Sequence, residues 1–428
     1  METIALRMYG KMDLRLEKFE LPDIKEDEIL AKIISDTSCP STYKEIVQGP
    51  EHPRVPKDID KNPVIVGHEM AGIILKVGEK WKDKYKEGQK FTIQPALLYE
   101  KGPVGVLSAP GYSYKYLGGL ATRVIIPNEV MEQDCLLIYE GDAFYKASLV
   151  EPLSCVVGAV NAQYHTKENS YEHIMGIKPG GKTAILGGAG PMGLAFLSYL
   201  IYGPQNPGLL IITDIDDSKL QRAMRAFPVD KVKEKGIDIR FINPTKDQSY
   251  KEIKYDDIFV LYSSPKLVEE ADSLLNRDGC LNFFAGPTDH NFTACVNFYK
   301  VHYDKHHFVA TSGGNANDMK IALDLIQKGI IDPSPMITHI GGLNVARDVL
   351  LNFPNIPGGK KLIYTHIKFP LSDIDDFERL SIEGPIELRD IYRDLYKIVK
   401  ENNGWWCKEA EDYMLNRGGE NRCVIVKD

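Results

Sequence analysis

Cysteine pairs are the first thing this chain lacks. It has seven cysteines in 428 residues, Cys39, Cys135, Cys155, Cys280, Cys295, Cys407 and Cys423. The number is odd and no two form a C-x-x-C pair, which argues against a disulfide framework and for a reducing, cytoplasmic setting. No uninterrupted apolar run reaches the roughly 18 residues of a membrane span. The opening METIALRMYGKMDLRLEKF carries charges throughout, so it is not expected to act as a secretory signal. Positive charge is also scarce: 52 Lys and Arg against 60 Asp and Glu leave a net charge of −8. That balance argues against nucleic acid and anionic lipid as partners. A small phosphorylated molecule needs only one local basic pocket and stays open. There is no internal repeat and no low-complexity linker. What is present is an ordinary globular balance, 43% hydrophobic and 26% charged, in a chain long enough for about two or three domains.

The predicted elements change character along the chain. Up to about residue 158, short β-branched runs such as KIISDT, VIVG, GIILKVG, KFTIQPALLY and TRVIIP are punctuated by Gly, Pro and Asp, which predicts a β-rich domain. From 159 to 310, strand-like TAILGG, LLIITDI, IRFIN, DIFVLYSS and CLNFFAG alternate with helix-like PMGLAFLSYLIYG, SKLQRAMRAF and PKLVEEADSLLN. Strands separated by helices predict βαβ units and a parallel sheet. From 311 onward a helix, NDMKIALDLIQKG, and further strands read as a return to the first domain. A charged helical tail begins near 371.

One local motif stands out in the middle region. TAILGGAGPMGLAF places Gly188-x-Gly190-x-x-Gly193, with Pro191 and Met192 between, directly between a strand and a helix. The first glycine allows a tight turn, the second lets backbone approach a pyrophosphate, and the third lets helix and strand pack closely. The helix N-terminus turns free N–H groups toward the phosphates. Asp214 closes the next strand, 21 residues after Gly193, where a carboxylate takes a ribose 2′-hydroxyl. A dinucleotide site follows. Asp214 favours NAD over NADP, because a 2′-phosphate would meet a like charge; Lys219 and Arg222 nearby soften that preference.

A second constellation is spread over the first 151 residues. His68 and Glu69 sit in VIVGHEMAG, Cys39 ends a strand-like run, and Glu151 opens an apolar helix in EPLSC. A thiolate, an imidazole and one or two carboxylates make a plausible zinc set, and a soft thiolate argues against Mg²⁺ or Ca²⁺. Taken singly, Cys39 fits a buried small apolar residue and Glu151 a carboxylate favoured at a helix N-terminus.

The order of these residues resembles a known family. Cys39, then Gly67-His68-Glu69-x-x-Gly72-x5-Gly78, then Gly118-Gly119-x-Ala121, Glu151-Pro152-Leu153 and GxGPMG are similar to the zinc-dependent medium-chain dehydrogenase/reductases in the sorbitol dehydrogenase branch. The likeness runs to about residue 370. The longer strings CPSTYKEI, QGPEHPRVP, GCLNFFAGPTDHNF, NFYKVHY and NIPGGKKLIY resemble the L-sorbose 1-phosphate reductase group. The resemblance implies an α/β fold, a GroES-like β-rich catalytic domain plus a Rossmann doubly wound domain, with substrate and cofactor in the cleft between them. It implies that Cys39, His68 and Glu69 are zinc ligands, that Glu151 occupies or approaches the fourth position, and that Ser41 passes the substrate proton. Gly188, Gly190, Pro191, Met192, Gly193 and Asp214 would hold the cofactor. The implied activity interconverts a ketose, as its phosphate, and the matching polyol by hydride transfer, in a homo-oligomer, dimer or tetramer.

The chain departs from the family's pattern in places. Thr42 stands where many relatives carry an Asp that orients the zinc histidine, Lys44 where a relay histidine is common, and Trp81 where a small or aliphatic residue ends the zinc signature. No cysteine lies between Gln94 and Leu117, so one catalytic zinc and no structural zinc is the expectation. Glycine- and tyrosine-rich GPVGVLSAPGYSYKYLGG fills that place. Lys44, His52, Arg54 and Lys115 are the basic residues offered to a substrate phosphate. Rival readings are a dehydrogenase of an unphosphorylated polyol or amino alcohol and a non-catalytic NAD-binding protein. The adjacent His306 and His307 face opposite ways on a strand and are not expected to share an ion. His339 reads as structural, and Trp405 and Trp406 as packing.

Overall fold

The structure, a computed structural model, describes residues 1–416; Cys423 and the end of the charged tail lie outside them. The chain divides into two compact units, Met1–Glu151 with Ile337–Asp428, and Pro152–Met336.

The first unit is β-rich. One sheet holds, in order, Ser372–Asp373, Ile337–Gly342, Lys360–Tyr364, Ile29–Thr37, Met70–Val77, Lys90–Ile93 and Leu136–Ile138, with Arg123–Ile126 also paired to Ile29–Thr37. The strand Ile29–Thr37 is buried along almost its whole length, as expected for a central strand whose Ile29, Leu30, Ile33 and Ile34 face packed neighbours on both sides. Its register decides the site. Asp36 pairs with Met70 on one side and Thr37 with Leu362 on the other. The chain segments just beyond these pairs, carrying Cys39, Glu69 and Lys360, therefore emerge at one end of the sheet. A smaller sheet of Asp13–Glu20, Glu2–Gly10 and Val64–Ile65 covers a core of Leu6, Met8, Ile46, Val66, Leu343 and Ile363. The strand expected over KFTIQPALLY stops at Ile93. Gln94 N–H bonds to Cys135, and Pro95, without an N–H, ends the ladder.

The tail folds onto this unit. The helix Arg389–Glu401 buries Ile391, Tyr392, Leu395 and Val399, a spacing that lines up one apolar stripe. Phe369 and Phe377 pack on Tyr392, and Phe377 also meets Trp406. Trp405 and Trp406 are both buried, and Trp406 donates its indole N–H to Tyr364.

The second unit is a six-stranded parallel sheet in the order Asp238–Ile242, Leu209–Thr213, Lys182–Leu186, Tyr255–Val260, Leu275–Phe283, His307–Val309. In chain order that is 3-2-1-4-5-6, the doubly wound arrangement that binds a dinucleotide at the strand ends where the order reverses. Its core joins Ala184, Ile211, Ile258, Val260, Leu274 and Leu281. The boundaries differ from the sequence reading of 158 and 311. The first division falls at Glu151, and the return comes only at Ile337. Helix Ala316–Gln327, expected in the returning segment, stays with the parallel-sheet unit: Asn315 and Asp318 close a capping box, and Asp318 also accepts from Asn161.

Candidate metal centre and cofactor site

Cys39 sits at the N-cap of helix Pro40–Gln48, where the helix dipole favours a thiolate. His68 and Glu69 occupy the bend between strands Val64–Ile65 and Met70–Val77. Their ligand atoms and Cys39 Sγ all lie within 4.8 Å of one another. Zinc bonds of roughly 2.0–2.3 Å put tetrahedral ligand atoms roughly 3.3–3.8 Å apart, so a small adjustment closes these three on one ion. Glu151 is buried but is not a member of that group. Its charge is felt at Cys39, Asp36 and Lys360.

The surroundings favour a metal. Thr42 Oγ1 lies 3.1 Å from His68 Nδ1, so an Nδ1–H donated to Thr42 leaves Nε2 as the free ligand atom. Burial, with the charges of Lys360 and Arg54, pushes His68 down to about 3, which keeps the imidazole neutral and able to coordinate. Loss of hydration pushes the Cys39 thiol up to about 12; a bound cation reverses that by stabilising the thiolate directly. The Ser41 hydroxyl donates to Cys39 Sγ at 3.0 Å and lies 3.3 Å from His68 Nε2, so it stands beside the ligand atoms.

Glu69 is held from both sides. Thr37 Oγ1 donates to one carboxylate oxygen and Lys360 Nζ to the other. Lys360 is itself buried. Burial opposes its charge, but Cys39 and Glu69 outweigh it and hold the ammonium protonated. A cation within this group neutralises thiolate and carboxylate together.

In the second unit the glycine-rich turn joins strand Lys182–Leu186 to helix Pro191–Tyr202. A Cβ on Gly193 would lie 1.4 Å from the Gly188 carbonyl oxygen, so no other residue fits there. A Cβ on Gly190 meets nothing within 4 Å: the chain leaves open space at the N-cap of helix Pro191–Tyr202, a cradle suited to a pyrophosphate. Pro191 opens that helix and Met192 follows, both part-exposed. Asp214 follows strand Leu209–Thr213 and accepts from Ala189 N–H at 2.9 Å and Asp216 N–H at 3.0 Å. One carboxylate thus ties the glycine turn to the next loop and keeps lone pairs for a ribose hydroxyl. Asp216 caps the following helix through Ser218 and Lys219. His306 and His307 turn to different aspartates, Asp272 and Asp278.

Residues 25–133 match the alcohol dehydrogenase GroES-like domain. The L-sorbose 1-phosphate reductase of Klebsiella pneumoniae is 46% identical over 419 residues, which cover 96% of this chain and 97% of that protein. The chain belongs to the zinc-dependent medium-chain dehydrogenase/reductases. A second relative of this dehydrogenase, the mannitol-1-phosphate 5-dehydrogenase of Aliivibrio fischeri, is 45% identical over 97% of both chains. Among solved structures, a zinc-binding dehydrogenase from Sinorhizobium meliloti bound to NADP superposes with a TM-score of 0.68 at 18% identity, covering 85% of this chain and 100% of that one; what the two share is the fold. As a member of the sorbitol dehydrogenase branch, this chain is an oxidoreductase.

Three residues of the dehydrogenase escaped the sequence reading. Lys360 lies in GGKKLIY, where nothing marks the first lysine as buried. Tyr112, from the glycine- and tyrosine-rich segment, places its ring 5.0 Å from His68. Glu411, in the tail, accepts from the Phe144 and Tyr145 backbone and from the Tyr364 hydroxyl. Of the three, only the aromatic density around Tyr112 left a trace in the sequence.

Proposed function

We propose that this enzyme interconverts a ketose phosphate, such as L-sorbose 1-phosphate, and its polyol phosphate. The observation that carries the reading is the meeting of Cys39, His68 and Glu69 within 4.8 Å, with Ser41 Oγ beside them. The near full-length similarity to two proteins named for sugar and polyol phosphates supports the substrate class. Cys39, His68 and Glu69 hold one zinc ion, with Glu151 at or near a fourth position. The nucleotide lies on Gly188, Gly190, Pro191, Met192, Gly193 and Asp214. Once bound, the zinc supplies Lewis-acid polarisation of the substrate oxygen, and the nicotinamide supplies or takes the hydride. The chain's own residues do the rest. Thr42 fixes the His68 tautomer, Lys360 and Thr37 orient Glu69, and Ser41 relays the hydroxyl proton, accepting it in oxidation while passing its own hydroxyl hydrogen on toward solvent, and running the relay backwards in reduction.

Finer points follow from the same residues. The Asp214 carboxylate favours NAD over NADP by charge. The absence of cysteine between Gln94 and Leu117 leaves no four-thiolate set, so the reading is one zinc per chain. Six described cysteines outside any disulfide support a cytoplasmic setting, and the family resemblance supports a homo-oligomer. Among the described residues no helix is long and apolar enough to cross a membrane. The test is a nicotinamide absorbance assay across ketose phosphates, polyol phosphates and their free sugars. Turnover concentrated on a phosphorylated pair is expected. Turnover confined to free polyols, or none with any sugar, overturns the reading.

A further inference from the structure

A group of basic residues stands next to the candidate metal centre within the first unit. Tyr112 is the hinge of the arrangement. One side of its surroundings is the His68 ring at 5.0 Å; the His52 ring is stacked at 5.7 Å, and Arg54 Cζ lies 5.7 Å from the Tyr112 centroid. Lys44, on the helix that Cys39 caps, is close enough that its charge is felt at His52 and that it feels Cys39. All three basic side chains are part-exposed, so a ligand can reach them.

The chemistry of these groups points to an anion. Among the described residues no carboxylate forms an ion pair with Arg54; its contacts are made by its backbone and by the guanidinium over the face of Tyr112. The nearby acid, Glu45, is fully buried with no hydrogen-bond partner on either oxygen. Burial raises it well above its ordinary range against the pull of Arg54, which weakens its hold on the guanidinium. The Arg54 backbone N–H donates to His52 Nδ1 at 3.2 Å. With Nδ1 accepting, Nε2 carries the hydrogen and is a donor. A guanidinium fork, an ammonium and an imidazole N–H make a donor set matched to a phosphate monoester, which carries about −1.5 to −2 charges. In a chain whose net charge is −8, such a local excess of positive charge beside a reaction centre is not a by-product of composition. Lys115, the fourth basic residue considered from sequence, is placed elsewhere: its ammonium lies over Tyr116 at 5.4 Å, beside a hollow lined by Pro56, Tyr114 and Pro127.

We propose that His52 and Arg54, packed on Tyr112 beside His68, together with Lys44 from the helix that Cys39 caps, form the subsite that receives the phosphate of the sugar substrate. The proposal rests on the reading that the substrate is a sugar phosphate. Tyr112 sets the spacing: its ring separates the phosphate end of the substrate from the end that faces the metal ligands, and its flat face lets the Arg54 guanidinium stack while the N–H edge of the guanidinium stays available.

The test uses the full-length, zinc-loaded enzyme. Steady-state kinetics on a ketose phosphate and on the free ketose give the ratio of the two kcat/KM values, and inorganic phosphate serves as a competitive probe. Arg54→Met and Lys44→Met are each expected to lower that ratio about ten-fold or more, through KM for the phosphorylated substrate, and to weaken inhibition by phosphate to a similar degree. Arg54→Lys recovers part of the loss, and Lys115→Met leaves the ratio within about two-fold. Two variants on different segments, each checked for thermal unfolding like wild type, guard against misfolding. If wild type prefers the phosphate and both variants keep the ratio and the phosphate inhibition of wild type, the subsite is wrong and the substrate reading stands. If wild type itself shows no preference for the phosphorylated sugar, the substrate reading fails and takes the subsite with it.

Discussion

Glu411 offers the sharpest test of how the tail is fastened. Its carboxylate is 1% exposed and accepts from the Phe144 N–H at 2.7 Å, the Tyr145 N–H at 2.8 Å and the Tyr364 hydroxyl at 2.9 Å. Burial outweighs these donors and raises it from 4.5 to about 7. The folded protein therefore binds this proton more tightly than the unfolded chain does. The stabilisation is fully present below the unfolded value and is lost as pH rises from 4.5 toward about 7. At about 1.36 kcal/mol per pH unit, the group's contribution falls by about 3 kcal/mol across that window. Glu411→Gln removes the titration and keeps a carbonyl acceptor. The assay is urea unfolding of both proteins between pH 5 and pH 8, followed by tryptophan fluorescence, because Trp405 and Trp406 are two of the three tryptophans and both belong to the tail. Wild type is expected to lose stability relative to Glu411→Gln by about 2.5 kcal/mol from pH 5 to pH 8. Two curves that stay parallel across that range would refute the argument, since they would mean that the carboxyl does not change its charge in the folded protein.

Other predictions follow from the site. Cys39→Ser and His68→Ala should each abolish retained zinc and lower turnover by at least about a thousand-fold, as read by elemental analysis and the nicotinamide assay. Lys360→Met strands the buried Glu69 carboxylate and should destabilise the apo-protein by roughly 3–5 kcal/mol in denaturant titration, with Lys360→Arg losing less. Thr42→Val removes the partner of His68 Nδ1 and should weaken zinc retention about 10–100-fold in competition with a chelator. Gly190→Val fills open space rather than a packed one, so calorimetry should show loss of NAD binding with little change in unfolding temperature; retained binding would remove Gly190 from the cofactor cradle.

Much of this protein is readable without coordinates, for a local reason. The glycine turn, the helix after it and Asp214 are fixed by contacts within about thirty residues, and Gly193 is dictated by a backbone clearance that only glycine supplies. The helices at 191–202, 217–226, 265–274 and 316–327 follow from periodicity and caps in the same way. The candidate metal ligands were legible as a pattern of residue types, but chemistry at a distance is not local. Cys39, Glu69 and Lys360 reach one sheet end because Asp36 pairs with Met70 and Thr37 with Leu362, a register that sets a strand from the returning segment beside one near the start of the chain.

That register is what only the tertiary structure decided. It buries Lys360 against Glu69, sets Tyr112 on His68, selects Lys44, His52 and Arg54 over Lys115, and gives the tail carboxylate of Glu411 three donors from two distant segments. A lysine, a tyrosine or a glutamate looks the same in a string whether it is solvated or enclosed. Its role is created by the neighbours that long-range packing brings, and by the water that the same packing removes.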